Sequence, residues 1–193
     1  KEIIPQAVGK QKILSYQYQE YWTNIENIES FFDANIGLTN DIPDFNLFDN
    51  DNKIYTRPRL LPPSKFKSTH LDKSLISEGC IINAKAIKKS VIGNRSRIGE
   101  GTVIENSYIM GNDFYQSLTD MKEDIENENQ LIGIGERCYI NHALVDKNCR
   151  IGNDVYINGG KHLTNCSEEL YCIKDGIVVI KKGKTLPDNF RIE

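Results

Sequence analysis

The chain of 193 residues lacks several things that would have settled its class at once. No apolar run approaches the roughly 20 residues that a membrane-spanning helix needs, which excludes a helical membrane span. It lacks basic excess: 24 Lys and Arg stand against 27 Asp and Glu, a formal charge of −3. That balance argues against general affinity for nucleic acid or for anionic membranes. Histidine is scarce, with His70, His142 and His162 far apart and in no metal-ligand spacing. Cysteine is odd in number, at five, and its placement does not suggest a secreted disulfide framework.

What the chain does have is a six-residue beat from about Ile76 to Ile157. Aliphatic residues recur at Ile76, Ile82, Ile92, Ile98 and Ile104, then at Ile134 and Ile140, then at Ile151 and Ile157. Gly follows at Gly93, Gly99, Gly135 and Gly152, and a small residue stands four positions on at Cys80, Ala86, Ser96, Thr102, Cys138 and Val155. A helix would repeat its apolar residues at i, i+3, i+4 and i+7. A hexapeptide period instead signals a parallel β-helix, whose coils cannot bury their own faces and must stack. Three hexads make one triangular coil. The aliphatic residue points inward, and the small residue four later fits near a corner. The Gly-Asn pairs Gly93-Asn94 and Gly152-Asn153 are expected to supply the positive φ of tight corners. On this reading Cys80, Cys138 and, in a hexad starting at Val145, Cys149 are core residues, while Cys166 and Cys172 stay open.

The flanks read differently. Residues 1–38 look like the end of an α/β domain. Ile13 to Trp22 alternates roughly, with Leu14, Tyr16 and Tyr18, and predicts a strand. A helix is predicted from about Ile25 to Ala34, with Ile25, Ile28 and Phe32 as its apolar stripe and Thr23 to Glu26 as a capping box. Residues 39–63, rich in Asp, Asn and Pro, form a linker with a strand expected at Lys53–Thr56. Residues 64–193 are the β-helix domain. Residues 111–131 interrupt the beat and are expected to protrude as an acidic loop with a helical turn or two. Residues 158–175 are a second irregular excursion, and Gly176–Ile180 is a short apolar strand. The chain opens on Lys1 and reads as the C-terminal part of a longer protein.

With these segments in order, the stretches YWTNIENIESFFDANIGL, PDFNLFDNDNKIYTRPRLLPPSK, SLISEGCIINAKAIKKSVIGNRSRIGEGTVIE, IGIGERCYINHALVDKNCRIG and GIVVIKKGKTLP resemble the C-terminal part of ADP-glucose pyrophosphorylase (glucose-1-phosphate adenylyltransferase), of the plant and cyanobacterial type. The resemblance covers nearly the whole chain. It implies that the β-helix is left-handed, an exception to the right-handed crossover rule. It implies a full-length enzyme that makes ADP-glucose and pyrophosphate from ATP and glucose 1-phosphate for starch or glycogen synthesis, with Mg²⁺ bridging the phosphates. The Gly-rich phosphate loop and sugar-phosphate Lys segment of the family are absent from this stretch, so the chain alone is not expected to catalyse.

The resemblance also implies site residues. The family reads YWEDIG where this chain has Tyr21-Trp22-Thr23-Asn24-Ile25-Glu26, so Asn24 stands at the position of a metal-binding Asp. A neutral amide there gives up charge beside a hard cation, unless Asn24 only caps the following helix. In this family 3-phosphoglycerate activates and orthophosphate inhibits through cations between two domains. Lys147 and Lys182 match activator positions, Lys181 being a one-residue ambiguity of register. Arg59 matches an anion-contacting position, and Arg57 stands where plant small subunits have Gln. Lys offers a mobile charge and Arg a bidentate fork. The family forms homo- or heterotetramers in plastid stroma or cytoplasm, and the motifs leave small and large subunit types both open. Two alternatives stand beside a complete enzyme. One is a catalytically weak regulatory subunit. The other is a hexapeptide acyltransferase, for which His142 is the one candidate base.

Overall fold

A computed structural model describes residues 2–193. From Lys65 onward the chain winds into a parallel β-helix with three faces. The first face stacks Lys65–Phe66, Ile81–Ile82, Arg97–Ile98, Gly133–Ile134, Arg150–Ile151 and Thr185–Leu186. The second stacks His70–Asp72, Ala86–Lys88, Val103–Glu105, Tyr139–Asn141, Tyr156–Asn158 and Arg191–Ile192. The third stacks Leu75–Ile76, Val91–Ile92, Tyr108–Ile109, Ala143–Val145 and Ile177–Ile180.

Register follows the aliphatic beat. Ile82 pairs with Ile98, Ile98 with Ile134, Ile134 with Ile151, and Ile151 with Leu186. The second face repeats this with Ile87, Ile104, Ile140, Ile157 and Ile192. Most of these side chains are fully buried, and each contributes roughly 1.5–3 kcal/mol of transfer free energy. The beat is not a strict six throughout. From the second face to the third it shortens to five, as in Ile87–Ile92, Ile104–Ile109 and Ile140–Val145, with small buried residues at Ser90, Ser107 and Ala143. That corner is turned by Lys73, Lys89, Asn106 and His142, all at positive φ.

The Gly-Asn pairs behave otherwise than expected. Positive φ falls two residues further on, at Arg95 and Asp154, not at Gly93 or Gly152. These glycines are required by close approach instead. A Cβ on Gly135 would lie 2.5 Å from the Gly152 carbonyl oxygen, and one on Gly99 would lie 2.5 Å from that of Gly135. Consecutive coils touch backbone to backbone there, which no side chain permits.

Buried hydroxyls stitch the corners. Thr102 Oγ1 donates to the Gly135 carbonyl at 2.8 Å and accepts from the Cys138 amide at 3.0 Å. Ser107 does the same between Glu105 and Ala143. Cys80, Cys138 and Cys149 are buried as anticipated, and all five cysteines are free thiols. Burial pushes the Cys149 thiol up to about 11, so it stays protonated and packs as a small apolar group.

The flanks depart from the sequence reading. The Ile13–Trp22 strand is not formed, nor is the one at Lys53–Thr56; both stretches are irregular and largely exposed. Neither stretch pairs with a strand of the three sheets, and alternation alone does not make a strand. A short helix, α1 (Ile3–Ala7), precedes them. The main helix, α2 (Ile28–Gly37), starts three residues later than predicted. Its cap is Asn27, whose side chain accepts from the Ser30 amide at 2.7 Å while Ser30 closes the capping box. Thr23 to Glu26 lie outside the helix and Ile25 is exposed. The working stripe is Ile28, Phe32 and Ile36.

That stripe packs on the outside of the third face, against Tyr108, Leu144 and Ile177. Leu144 and Ile177 point outward while Val145 and Val178 point into the coil. Covered on both sides, these strands read as continuous apolar runs (ALV, IVVI) rather than as alternation.

The excursions contain regular elements of their own. Residues 111–131 carry a third helix, α3 (Leu118–Glu126), capped by Ser117 with Asp120. It is tethered to the coil by Arg150, which binds Asp124 at 2.6 Å and also the Gln130 carbonyl. The second excursion contains Cys166–Ser167 and Tyr171–Lys174, which pair antiparallel beside Ile177–Ile180.

Replacing Thr102 by Val keeps the shape but strands the Cys138 amide and the Gly135 carbonyl. The expected loss is about 1–3 kcal/mol, read as a lower denaturant midpoint at unchanged m; an unchanged midpoint would show that the hydroxyl stitch does not matter.

Candidate functional site: a lysine pair at one corner

The corner between the third face and the first gathers residues far apart in sequence. Val145 pairs with Ile109 on one side and with Ile180 on the other. Residues just beyond these strand ends are therefore stacked neighbours. Asp113 follows the Ile109 strand, Lys147 the Val145 strand and Lys182 the Ile180 strand. Lys147 Nζ donates to Asp113 Oδ1 at 2.7 Å, and Lys182 Nζ lies 3.7 Å from Asp113 Oδ2. Asn148 completes the group. Its Nδ2 donates to Asp113 Oδ2 at 3.0 Å, and its Oδ1 accepts from the Asp113 amide at 2.9 Å.

The backbone beneath is fixed. Asn148 N–H donates to the Gly111 carbonyl, and Gly183 N–H to that of Lys147. Asn112, itself buried, spans to the coil below through the Asn94 and Arg95 carbonyls. Only the side-chain tips are free to move. Lys182 is 61% exposed and Lys147 32%, so both ammonium groups can be reached by a solute. The hydrogen bond from Lys147, then that from Asn148, hold the Asp113 carboxyl below the usual carboxylate range. It is ionised at neutral pH.

Lys181 is turned away and donates to the Glu168 carbonyl of the hairpin. Of the two, Lys182 and not Lys181 shares the corner with Lys147.

The other expected site residues are not part of this cluster. Arg57 and Arg59 lie exposed on the irregular stretch ahead of the first coil, and neither is among the partners of Asp113. Asn24 is exposed on the irregular segment before α2, and the helix cap expected of it belongs to Asn27. Among the described residues, no three His, Cys, Asp or Glu side chains are placed to share a metal ion.

His142 is likewise unsuited to act as an open base. Phe32 of α2 meets its ring edge-on at 5.0 Å, and Nδ1 lies 2.8 Å from Asn106 Nδ2. Burial lowers its pKa, the nearby Asp33 opposing this only in part. It is a neutral packing element of the seam between α2 and the coil.

Against known proteins, a family model for the GLGC left-handed parallel beta-helix domain matches residues 59–190. The chain belongs to the glucose-1-phosphate adenylyltransferase family. The chloroplastic/amyloplastic small subunit of glucose-1-phosphate adenylyltransferase from Triticum aestivum is 42% identical over 190 residues. The match covers 96% of this chain and 40% of that relative. The coil is thus the left-handed parallel β-helix of this family, and the chain spans well under half the length of the curated relative.

Asp113 and Asn148 were not anticipated from sequence. Counting coil register across the 111–131 insertion would have placed Asp113 beside Lys147, but the insertion hides the count.

The seam makes a pH prediction. Because folding depresses the His142 pKa below 6.5, its neutral form contributes stability that is present above about pH 6.5 and lost as pH falls through the folded value. His142→Asn keeps a residue that tolerates positive φ. Between pH 7.5 and 5.5 the native protein should lose more stability than this variant; equal losses would remove His142 from the seam's energetics.

Proposed function

We propose that this chain is the regulatory and assembly part of a glucose-1-phosphate adenylyltransferase that makes ADP-glucose and pyrophosphate from ATP and glucose 1-phosphate. In this reading the Lys147–Lys182 corner is its effector seat. The observation that carries it is the convergence of two accessible ammonium groups on a single carboxylate, fixed by coil register beside the seam with α2. A carboxylate held there stands for what the corner binds: a small anion with two or more oxygens, such as 3-phosphoglycerate or orthophosphate. Lys groups suit this because a mobile point charge exchanges one oxyanion for another without geometric demand.

Regulation would act through differential affinity. An effector shifts the enzyme only by as much as it prefers one arrangement, and a coupling of roughly 1–3 kcal/mol is typical. The route to the rest of the protein is short. Burial raises the pKa of the half-buried Tyr108 phenol, and the positive charge of Lys147 opposes this only in part. Tyr108 packs on Phe31 of α2 at 5.8 Å. Arg57 and Arg59, exposed ahead of the coil, would join the seat only once the preceding parts of the enzyme bring an anion between them.

Magnesium would supply charge neutralisation on the transferring phosphates, with its ligands mostly outside this chain. Asn24, which stands in place of a carboxylate, favours a second reading in which the subunit is catalytically weak and works with a competent partner in a heterotetramer. A plastid location is proposed from the wheat relative.

Two results check this. In the full-length protein, Lys147→Glu should raise the activator concentration for half effect about tenfold or more, since it turns attraction into repulsion at contact distance; an unchanged value would remove the seat. Asn24→Asp should raise turnover by about tenfold, the scale of one regained metal contact worth roughly 1.4 kcal/mol; no gain would argue against the weak-subunit reading.

A further inference from the structure

Resting on the effector-seat reading above, we propose that Asp113 is a built-in competitor of the effector, and that its carboxylate sets the concentration at which a phosphate-bearing anion takes Lys147 and Lys182. The carboxylate already makes the contacts such an anion would make. It holds Lys147 at 2.7 Å, stands 3.7 Å from Lys182 and accepts from Asn148 Nδ2 at 3.0 Å.

Asp113 is held as a competitor should be. Its backbone is fixed through its own amide to Asn148 Oδ1 and through the buried neighbour Asn112. Its side chain is partly open to solvent. The anchor keeps the local concentration of carboxylate constant, while the tip can rotate away when another anion arrives. The tether makes the competition intramolecular, so its strength does not depend on how much protein is present.

Charge gives the size and the selectivity of the effect. Lys147, Lys182 and Asp113 together present a net charge of +1, and without the carboxylate they present +2. A displaced Asp113 stays beside the seat and repels the incoming anion. That repulsion is twice as large for a dianion as for a monoanion. Asp113 therefore penalises phosphate more than it penalises a monovalent anion, and it keeps the seat empty at low phosphate. The arrangement lets a site with two lysines answer to changes in a plentiful metabolite instead of remaining saturated.

The test is Asp113→Asn in the full-length protein. The substitution is isosteric and keeps an oxygen for Lys147. The half-effect concentrations of 3-phosphoglycerate and orthophosphate should fall by about fivefold or more, the scale of one unit charge a few ångströms away in water, with a smaller fall for chloride as competitor. Asp113→Glu, which keeps the charge, should stay near the native threshold, and this separates charge from any loss of fold. If Asp113→Asn leaves the thresholds unchanged while Lys147→Glu raises them, the competitor role is wrong and the seat stands. If neither substitution moves them, the seat and the competitor fall together. A rise on Asp113→Asn would instead make the carboxylate an organiser of the lysines, which also overturns the proposal.

Discussion

Everything in this molecule depends on one constraint: each coil must stand in register on the coil below. Ile82, Ile98, Ile134, Ile151 and Leu186 form one continuous column, and no coil could bury its own side chains without its neighbours. Once the columns are set, the interior width is set, and the buried corners hold small side chains such as Cys80, Ser96, Thr102, Ser107, Cys138, Ala143 and Val155. The same closeness forces glycine at positions 99 and 135, where backbone meets backbone. Register then does the chemical work at the surface. It places Asp113, Lys147 and Lys182 side by side although 33 or more residues separate each from the next.

The seam with α2 is the second consequence. Strands of the third face are covered inside by the core and outside by Phe32 and Ile36. The helix therefore sits on the same face whose strand ends carry the lysines. Tyr108 packs on Phe31, and its strand runs into the corner that carries Asp113. The proposed anion seat thus lies at the end of the face that carries the helix–coil seam, which would give it a physical means of affecting what lies beyond the helix.

The coil was legible from the sequence because its rule is local: an aliphatic residue every five or six positions with a small residue before the next corner. The buried Cys80, Cys138 and Cys149 followed from it, while the GIVVI strand was legible as a short apolar run. What failed was whatever required a partner to be known. The alternation of Ile13 to Trp22 pairs with none of the three sheets, and Thr23 to Glu26 matches a capping box that Asn27 and Ser30 make instead. Gly93 and Gly152 were assigned to turns, whereas backbone contact between coils explains them. Lys147 and Lys182 were found through family resemblance. Their convergence on Asp113 was not visible, because the 111–131 insertion breaks the count that aligns them.

The most direct measurement is amide hydrogen exchange on the full-length protein with and without 3-phosphoglycerate. If the lysine corner is an effector seat coupled through the seam, exchange should slow both around residues 108–113 and 145–149 and in α2, at residues 28–37. Protection confined to the corner would contradict the coupling, and no protection at the corner would contradict the seat itself.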